Sequence, residues 1–123
     1  MTTPVEFIVS EIHNDGARII KMIEIRGQLD ETNVDDKSKL IYELLAANPA
    51  GTHYIFHLGG LEYMNSKSIG YLTDWYNRIT SSNGQIKLAY GRDNILDILD
   101  AVGLTSIIEH HNTLDEAKSS IIG

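Results

Sequence analysis

The sequence predicts an α/β domain in which a mixed, mostly parallel sheet of about five strands is combined with four helices. Short apolar runs typical of strands alternate with longer runs of helical period, in the order β-β-α-β-α-β-α-β-α. Asn14-Asp15-Gly16, a strong signal for a tight hairpin turn, joins the first two strands. The chain fits a single domain, residues 1–123, without repeat or linker. The later crossovers should be right-handed, and the sequence leaves open whether the helices cover one or both faces.

The first two strands are predicted to form an antiparallel hairpin. In residues 5–13 apolar and polar side chains alternate, which is typical of a half-buried strand. A second apolar run begins at Ala17 and is closed by residues 27–30. Asp30 lies at the exit of this strand, where functional loop residues often collect, and is therefore a candidate binding residue.

The first helix is predicted to begin at Asn33 and to end at Asn48-Pro49. Its apolar residues at helical spacing are Val34, Ile41, Leu44 and Leu45. Asp35 and Asp36 suit the positive end of the helix dipole, and we interpret them as a capped, solvated helix start.

Residues 52–58 are predicted to form the central strand, which a turn at Gly59-Gly60 follows. His53 and His57 share one face of this strand but lie roughly 13 Å apart by strand rise, too far to chelate one ion unaided. We therefore interpret both histidines as structural.

The second helix is predicted to span residues 66–81. Its apolar stripe should face the sheet and consists of Ile69, Leu72, Tyr76 and Ile79. Tyr71 points away from this stripe and Trp75 lies at its margin, so the two rings are neighbours on the helix surface. The pair is either an exposed aromatic contact for a partner protein or is covered by a neighbouring element.

The first turn of this helix is a candidate binding or modification site. Its residues are Asn65, Ser66, Lys67 and Ser68. Unpaired backbone N–H groups and the positive end of the dipole meet there, so Asn and Ser can cap the helix, and a phosphate can also be held. Ser66 is therefore either a cap or a switch. Lys67 opposes the dipole, which indicates a nearby anion, either a phosphate on Ser66 or an acidic partner.

The rest of the chain is predicted to complete the sheet. Three elements are expected: a strand at residues 85–90, a short helix from residue 91 to Gly103, and a strand at residues 106–109. Asn112 or Thr113 should cap the last helix, in which Thr113 and Glu116 have the spacing of a capping box.

Composition excludes several classes of function. Seventeen acidic against ten basic residues give a formal charge of −7, which argues against nucleic acid and against anionic membranes as partners. The chain has no cysteine, so disulfides and Cys-ligated zinc are excluded. No secretory signal or membrane-spanning run is visible, and we expect a cytoplasmic protein.

Catalytic motifs are not found in the sequence. There is no GxGxxG and no P-loop, and we expect no cofactor. A serine hydrolase typically needs a G-x-S-x-G elbow, whereas Ser66 is flanked by Asn65 and Lys67. We therefore expect no enzymatic activity, and a Ser66-dependent hydrolase is the least favoured hypothesis.

Three segments carry a family resemblance when they are read together. They are G-Q-L-D after the second strand, L-G-G-L-E-Y-M-N-S-K-S-I-G-Y-L, and A-V-G-L-T-S-I-I-E followed by T-L-D-E-A. In order and spacing they resemble the STAS domain, the fold of the anti-sigma factor antagonists, over nearly the whole chain. The resemblance implies a bacterial regulator of transcription.

The resemblance implies partner switching. Such a protein binds an anti-sigma factor, which is an ATP-dependent serine kinase, and thereby frees a sigma factor. The kinase phosphorylates a serine at the start of the second helix, which ends the complex, and a serine phosphatase reverses the modification. The acceptor matches Ser66. The residues expected to contact the partner are Asp30, Asn65, Ser66, Lys67, Ser68, Tyr71 and Trp75. The oligomeric state is open, with a homodimer as one option.

The sequence departs from the usual family motif, Asp-Ser-Ser/Thr-Gly, on both sides of the acceptor. Asn65 replaces the acid, Lys67 the second hydroxyl residue and Ser68 the glycine. Asn65 carries no charge that could orient the nucleotide of a kinase or the acceptor hydroxyl. The alternative is therefore a STAS binding module that is never phosphorylated and acts as a scaffold or regulatory subunit of a larger assembly.

Overall fold

A computed structural model describes residues 1–123 and contains five strands and four helices in the predicted order. The strands are β1 (Val5–Asn14), β2 (Ile19–Leu29), β3 (His53–Met64), β4 (Ile86–Ala89) and β5 (His110–His111). The helices are α1 (Val34–Ala47), α2 (Ser66–Ser81), α3 (Asp93–Ala101) and α4 (Leu114–Ile122), and a 3-10 turn lies at Leu104–Ser106. None of the helices combines the length and the apolar character needed to cross a bilayer.

The strands form one sheet in the order β1-β2-β3-β4-β5. The first pair is antiparallel and the other three pairs are parallel, which confirms the predicted mixed sheet. In the hairpin turn the Asp15 carboxylate accepts hydrogen bonds from the backbone N–H groups of Ala17 and Arg18, and Gly16 adopts a φ of 84°. These two features explain why the Asn-Asp-Gly sequence closes a turn here.

Helices cover both faces of the sheet, which answers the question that the sequence left open. Each crossover from β2 onward advances in the same direction across the sheet, so right-handed connections place α1, α2 and α3 on one face. The last helix, α4, follows β5 and covers the opposite face. There Ala117 and Ile121 pack with Ile20, Ile55 and Ala89 in a second, smaller core.

The central strand is longer than predicted, and the expected turn at Gly59-Gly60 is wrong. β3 continues through both glycines to Met64. A Cβ atom on Gly60 would lie 2.7 Å from the Cγ atom of Arg26, so the glycine is required by the close approach of β2. The pairing also shifts register between Glu24 and Arg26, which indicates a bulge at this point.

The predicted fifth strand at residues 106–109 is also wrong. The backbone N–H groups of Ile107 and Ile108 bond back to the Leu104 carbonyl, which turns the chain and buries Ile108 completely. The strand forms immediately afterwards, at His110–His111. The last helix is capped as one of the two predicted alternatives, because the Thr113 hydroxyl accepts a hydrogen bond from the Glu116 N–H at 3.1 Å.

Candidate functional site

The candidate site lies at the carboxyl edge of the parallel strands, where β3 leads directly into α2. Asn65 is the helix cap, and its Oδ1 accepts hydrogen bonds from both the backbone N–H (3.0 Å) and the hydroxyl (2.7 Å) of Ser68. Ser66 is the first residue of the helix, and its hydroxyl is exposed and makes no hydrogen bond within the protein. The interpretation of Ser66 as a cap is therefore wrong.

Ser68 is part of the cap and is not part of the surface. Its side chain is completely buried, and its hydroxyl is committed to Asn65. Our prediction that Ser68 contacts a partner is therefore wrong. The hydroxyl of Ser68, which stands where the family motif has glycine, has a hydrogen-bond partner beneath the surface.

The amide of Asn65 also joins α2 to the loop before α1. Its Nδ2 donates to the carboxylate Oε2 of Glu31 at 2.9 Å. An aspartate at position 65 would place two carboxylates at hydrogen-bonding distance, which is unfavourable because like charges repel. The amide at position 65 and the acid at position 31 are therefore complementary, and the negative charge that the family motif carries on the cap residue is carried here by the adjoining loop.

The anion predicted near Lys67 belongs to the protein itself. The Lys67 ammonium lies 2.9 Å from Oδ2 of Asp35, the second residue of α1, and the Tyr71 hydroxyl donates to Oδ1 of the same carboxylate. We call these three residues the Asp35 bridge. Asp35 is an exposed residue of the first turn of α1, as predicted, and it also ties α1 to α2, which the sequence did not indicate.

Hydrogen bonding in the Asp35 bridge shifts two pKa values in opposite directions. The Tyr71 hydroxyl and then the Lys67 ammonium lower the pKa of Asp35 by stabilising its carboxylate. The same carboxylate raises the pKa of Tyr71 to about 12, because a tyrosinate there would face a negative charge. The side chains of Lys67 and Asp35 are about half exposed to solvent, so this ion pair positions side chains and contributes little to stability.

Trp75 belongs to the core, so the second alternative holds for this ring, which neighbouring elements cover, and our prediction that Trp75 contacts a partner is wrong. Only 1% of the residue is exposed, its ring stacks on Phe56 with centroids 5.6 Å apart, and its Nε1 donates to the Ser38 hydroxyl at 2.9 Å. The buried face of α2 consists of Ser68, Leu72, Trp75 and Ile79, so the helix is turned about its axis relative to the predicted stripe. Tyr71 remains half-buried at the surface beside it.

Asp30 fixes the loop that carries Glu31. One of its carboxylate oxygens accepts from the Thr3 hydroxyl at 2.5 Å, and the other accepts from the N–H (2.9 Å) and hydroxyl (2.5 Å) of Thr32. These bonds, led by that from Thr3, lower the pKa of Asp30. Asn33 is buried below this loop, where its Nδ2 donates to the carbonyls of Thr3 and Gln28. Asp30 therefore supports the site from its own loop.

Sequence reasoning missed two residues of this surface. Glu31 was missed because its contact with Asn65 spans 34 positions and has no local signal. Tyr63 is 46% exposed and lies three positions before Ser66, in the part of β3 that was not predicted to be a strand. Strand alternation would have placed Tyr63 on the same face as the buried Leu61, but the β2–β3 pairing shifts register between these two residues, so Tyr63 had no local signal.

The site presents the exposed hydroxyl of Ser66 at the start of α2. The Ser66 hydroxyl has no hydrogen-bonded base, so nothing in the structure activates it as a nucleophile. His110, one candidate partner for such a serine, accepts a hydrogen bond from the Gly91 N–H through Nε2. Groups of three or more acidic or histidine side chains suitable for a metal ion are not found anywhere in the chain.

Comparison with known families assigns the chain. The family model described as the STAS domain matches residues 10–117. The chain therefore belongs to the STAS domain family, as the three sequence segments predicted. A search of curated protein sequences gives no significant match.

Solved structures share the fold at low sequence identity. An anti-sigma factor antagonist from Mycobacterium paratuberculosis is 17% identical, with a TM-score of 0.80 and 100% of each chain covered. The anti-sigma factor antagonist SpoIIAA in its unphosphorylated form is also 17% identical, with a TM-score of 0.78, covering 96% of this chain and 97% of that one. A sulfate transporter family protein from Wolinella succinogenes is 12% identical, with a TM-score of 0.70 and 84% of each chain covered.

Proposed function

We propose that this chain is an anti-sigma factor antagonist whose binding to an anti-sigma factor is ended by phosphorylation of Ser66. The observation that carries this proposal is the state of the Ser66 hydroxyl, which is exposed and free while Asn65 and Ser68 perform the capping. A serine that caps its own helix would lose that function on modification. Here the cap survives, so the hydroxyl is available to a kinase without cost to the fold.

A phosphate on Ser66 would act on the surface and leave the core unchanged. It adds about −1.5 to −2 charges at a helix start, where the backbone N–H groups and the dipole favour an anion. Lys67 is the adjacent cation, and it can exchange Asp35 for the phosphate. The carboxylates of Glu31 and Asp35 flank the same turn, so the modification concentrates negative charge on one patch. A partner seated on that patch would be repelled.

The proposed partner is an anti-sigma factor that is an ATP-dependent serine kinase, with a serine phosphatase to reset the switch in a bacterial cytoplasm. The surface available to it combines the exposed Tyr63 ring with Ser66, Lys67 and the half-buried Tyr71. Aromatic side chains of this kind are frequent among residues that dominate protein interfaces. The chain itself is proposed to have no enzymatic activity.

Phosphorylation in solution tests the acceptor. The protein is incubated with the anti-sigma factor kinase and ATP, and the phosphate is located by mass spectrometry. We expect one phosphate on Ser66 in the native protein and none in Ser66→Ala, with Ser119→Ala, which removes an exposed helical serine elsewhere, behaving as the native protein. Phosphate at another position, or none, contradicts the assignment of Ser66.

The affinity of the unphosphorylated protein for its anti-sigma factor tests the switch. Ser66→Asp should weaken the complex by at least about tenfold, because it places a carboxylate in the acidic patch, while the unfolding transition stays unchanged. Ser119→Asp adds the same charge on α4 and should leave the affinity unaltered. Equal affinity for Ser66→Asp and the native protein argues against the switch.

The alternative is a STAS module that is never phosphorylated and acts as a scaffold or regulatory subunit. The observation in its favour is that both departures from the family motif are satisfied internally, Asn65 by Glu31 and Lys67 by Asp35, which leaves two carboxylates beside the acceptor. Under this alternative the partner complex would be indifferent to ATP, to Ser66→Ala and to Ser66→Asp alike.

A further inference from the structure

A cleft of about 610 Å³ lies between the C-terminal ends of α1 and α2, far from the Ser66 turn. α2 has 16 residues, so its two ends are about 24 Å apart, and Ser66 lies at one end while the cleft begins at Asp74 and extends to the other. The volume falls in the range of pockets that hold small molecules. Its walls include Tyr42, Pro49 and Tyr54.

The Tyr54 ring is buried, and its hydroxyl lies at the cleft wall without a hydrogen-bond partner in the protein. The residue is 3% exposed and lines the cleft, yet its hydroxyl makes no hydrogen bond within the protein. Burial raises the pKa of Tyr54, so the group stays a neutral hydroxyl that can both donate and accept. A hydroxyl that opens into a cleft and is not used within the protein is available to a molecule bound there.

The C-terminal end of α1 supplies further acceptors. Pro49 has no N–H group and cannot bond back to the Leu45 carbonyl, and no backbone N–H beyond the helix bonds back to its last turn. The side chain of Asn48 donates the one hydrogen bond to this turn, to the Leu44 carbonyl. The last turn also contains no basic residue, so the negative end of the dipole is uncompensated where Leu45 lines the cleft.

Asp74 adds a carboxylate of which only one oxygen accepts hydrogen bonds within the protein. Its Oδ2 accepts from both the Tyr42 hydroxyl and Nε of Arg78, whereas Oδ1 has no hydrogen bond. The bond from Tyr42, and then that from Arg78, lower the pKa of Asp74 and keep it ionised. The Arg78 guanidinium lies 4.4 Å from the centre of the Tyr42 ring, so the cation in the cleft is already engaged by a carboxylate and an aromatic face.

We propose that this cleft binds a small aliphatic amine as its ammonium cation. The groups left without partners are acceptors: Asp74 Oδ1, the carbonyls at the end of α1 and the oxygen of the Tyr54 hydroxyl. An ammonium group brings three donors and no acceptor, and it complements this set together with the negative end of α1. The apolar wall formed by Leu45, Pro49 and Ile79 suits the methylene chain of such a ligand.

The probe that tests this site is 1,4-diaminobutane, with 1,4-butanediol as its neutral counterpart. Both are titrated into the protein of residues 1–123 labelled with nitrogen-15, and amide shifts are followed by NMR. We expect saturable shifts with the diamine, confined to residues 44–54 and 74–82, and no such shifts with the diol. Absence of saturation, or equal shifts with the diol, overturns the proposal.

Three variants distinguish binding of the diamine in the cleft from its non-specific attraction to an acidic protein. Tyr54→Phe, which keeps the ring and hence the packing, should weaken diamine binding by about threefold or more, and Asp74→Asn by about tenfold or more. Asp97→Asn removes the same charge from an exposed position of α3 and should leave the affinity unchanged. Equal weakening by Asp97→Asn and Asp74→Asn, or shifts spread over the acidic surface, would mean non-specific binding and would overturn the proposal. Ser66 takes no part in this test, so its result is independent of the proposed switch.

Discussion

At the scale of single residues, the pairing of Trp75 with Ser38 shows how tertiary contacts select the buried face of a helix. Trp75, the only tryptophan of the chain, is wedged between Phe56 of β3 and α1. A small hydroxyl residue at position 38 provides both the room and the hydrogen-bond acceptor that a buried indole needs. Helical periodicity alone placed Trp75 at the margin, because the decisive contact spans 37 positions.

Ser38→Ala should destabilise the protein by leaving the buried Trp75 N–H without an acceptor. We expect the free energy of unfolding to fall by about 1–3 kcal/mol, measured by urea denaturation with Trp75 fluorescence as the signal. The matched control is Ser119→Ala on the exposed side of α4, which should change stability by no more than about 0.5 kcal/mol. Similar effects of the two variants would contradict the importance of the Ser38–Trp75 hydrogen bond.

The helix-start turn shows which parts of a site the sequence reveals. Asn65 was predictable as a cap because capping joins residues three positions apart. The carboxylates that complete the turn, Glu31 and Asp35, come from more than 30 positions away. The position of Lys67 at the positive end of the helix dipole predicted a nearby anion. The local sequence could not show that this anion is Asp35 of the same chain.

At the scale of elements, the central strand shows how local turn signals can mislead. A Gly-Gly pair is frequent in turns, but the same absence of side chains also permits close packing inside a sheet. In β3 Gly60 serves close packing, because a Cβ atom there would lie 3.2 Å or less from three atoms of Arg26 on the paired strand β2. Strand existence and order were predicted correctly, whereas this boundary depended on a neighbour that the local sequence does not contain.

Two glycine substitutions should therefore have opposite effects. Gly60→Ala forces a methyl group to 2.7 Å from Arg26 Cγ and 3.2 Å from its Cα, and should cost about 1–3 kcal/mol. Gly70→Ala lies within α2, where an added Cβ meets nothing within 4 Å, and should stabilise by about 0.5–1 kcal/mol. Thermal and urea unfolding of both variants checks the pair. Destabilisation by Gly70→Ala, or stabilisation by Gly60→Ala, would contradict this packing.

At the scale of the whole molecule, two histidines connect neighbouring parts of the sheet as hydrogen-bond acceptors. Nδ1 of His53 accepts from the Gln85 N–H at 2.9 Å, and Nε2 of His110 accepts from the Gly91 N–H at 2.9 Å. Protonation would place a hydrogen on each accepting nitrogen and break the bond. This hydrogen bond from the Gln85 N–H gives His53 the structural role that we inferred from the sequence.

Stability should consequently fall on mild acidification. Burial lowers the pKa of both histidines below the ordinary value of 6.5, with a smaller contribution from the positive charges of Arg18 at His53 and of His111 at His110. The unfolded chain therefore binds more protons just below pH 6.5, and the free energy of unfolding decreases as the pH falls through this range. The slope is at most about 1.4 kcal/mol per pH unit for each histidine.

Urea denaturation at pH 7.5 and pH 5.5 measures this effect above the range in which carboxylates titrate. The double variant His53→Gln and His110→Gln, which retains an acceptor oxygen at each position, should show a flatter pH dependence. A native protein whose stability is constant or increases between pH 7.5 and pH 5.5 would contradict the prediction.

The order of the strands within the sheet has a consequence for how the chain is made. Strand neighbours in space are always neighbours in sequence, so each strand can pair with the preceding one as soon as both have left the ribosome. No strand has to be inserted between two that are already paired, so each pairing step closes only the one connection made last, which limits its entropic cost. During synthesis the apolar face formed by Ile20, Ile55 and Ala89 stays uncovered until α4 emerges, and this is the interval in which a nascent chain of this protein is most exposed to aggregation.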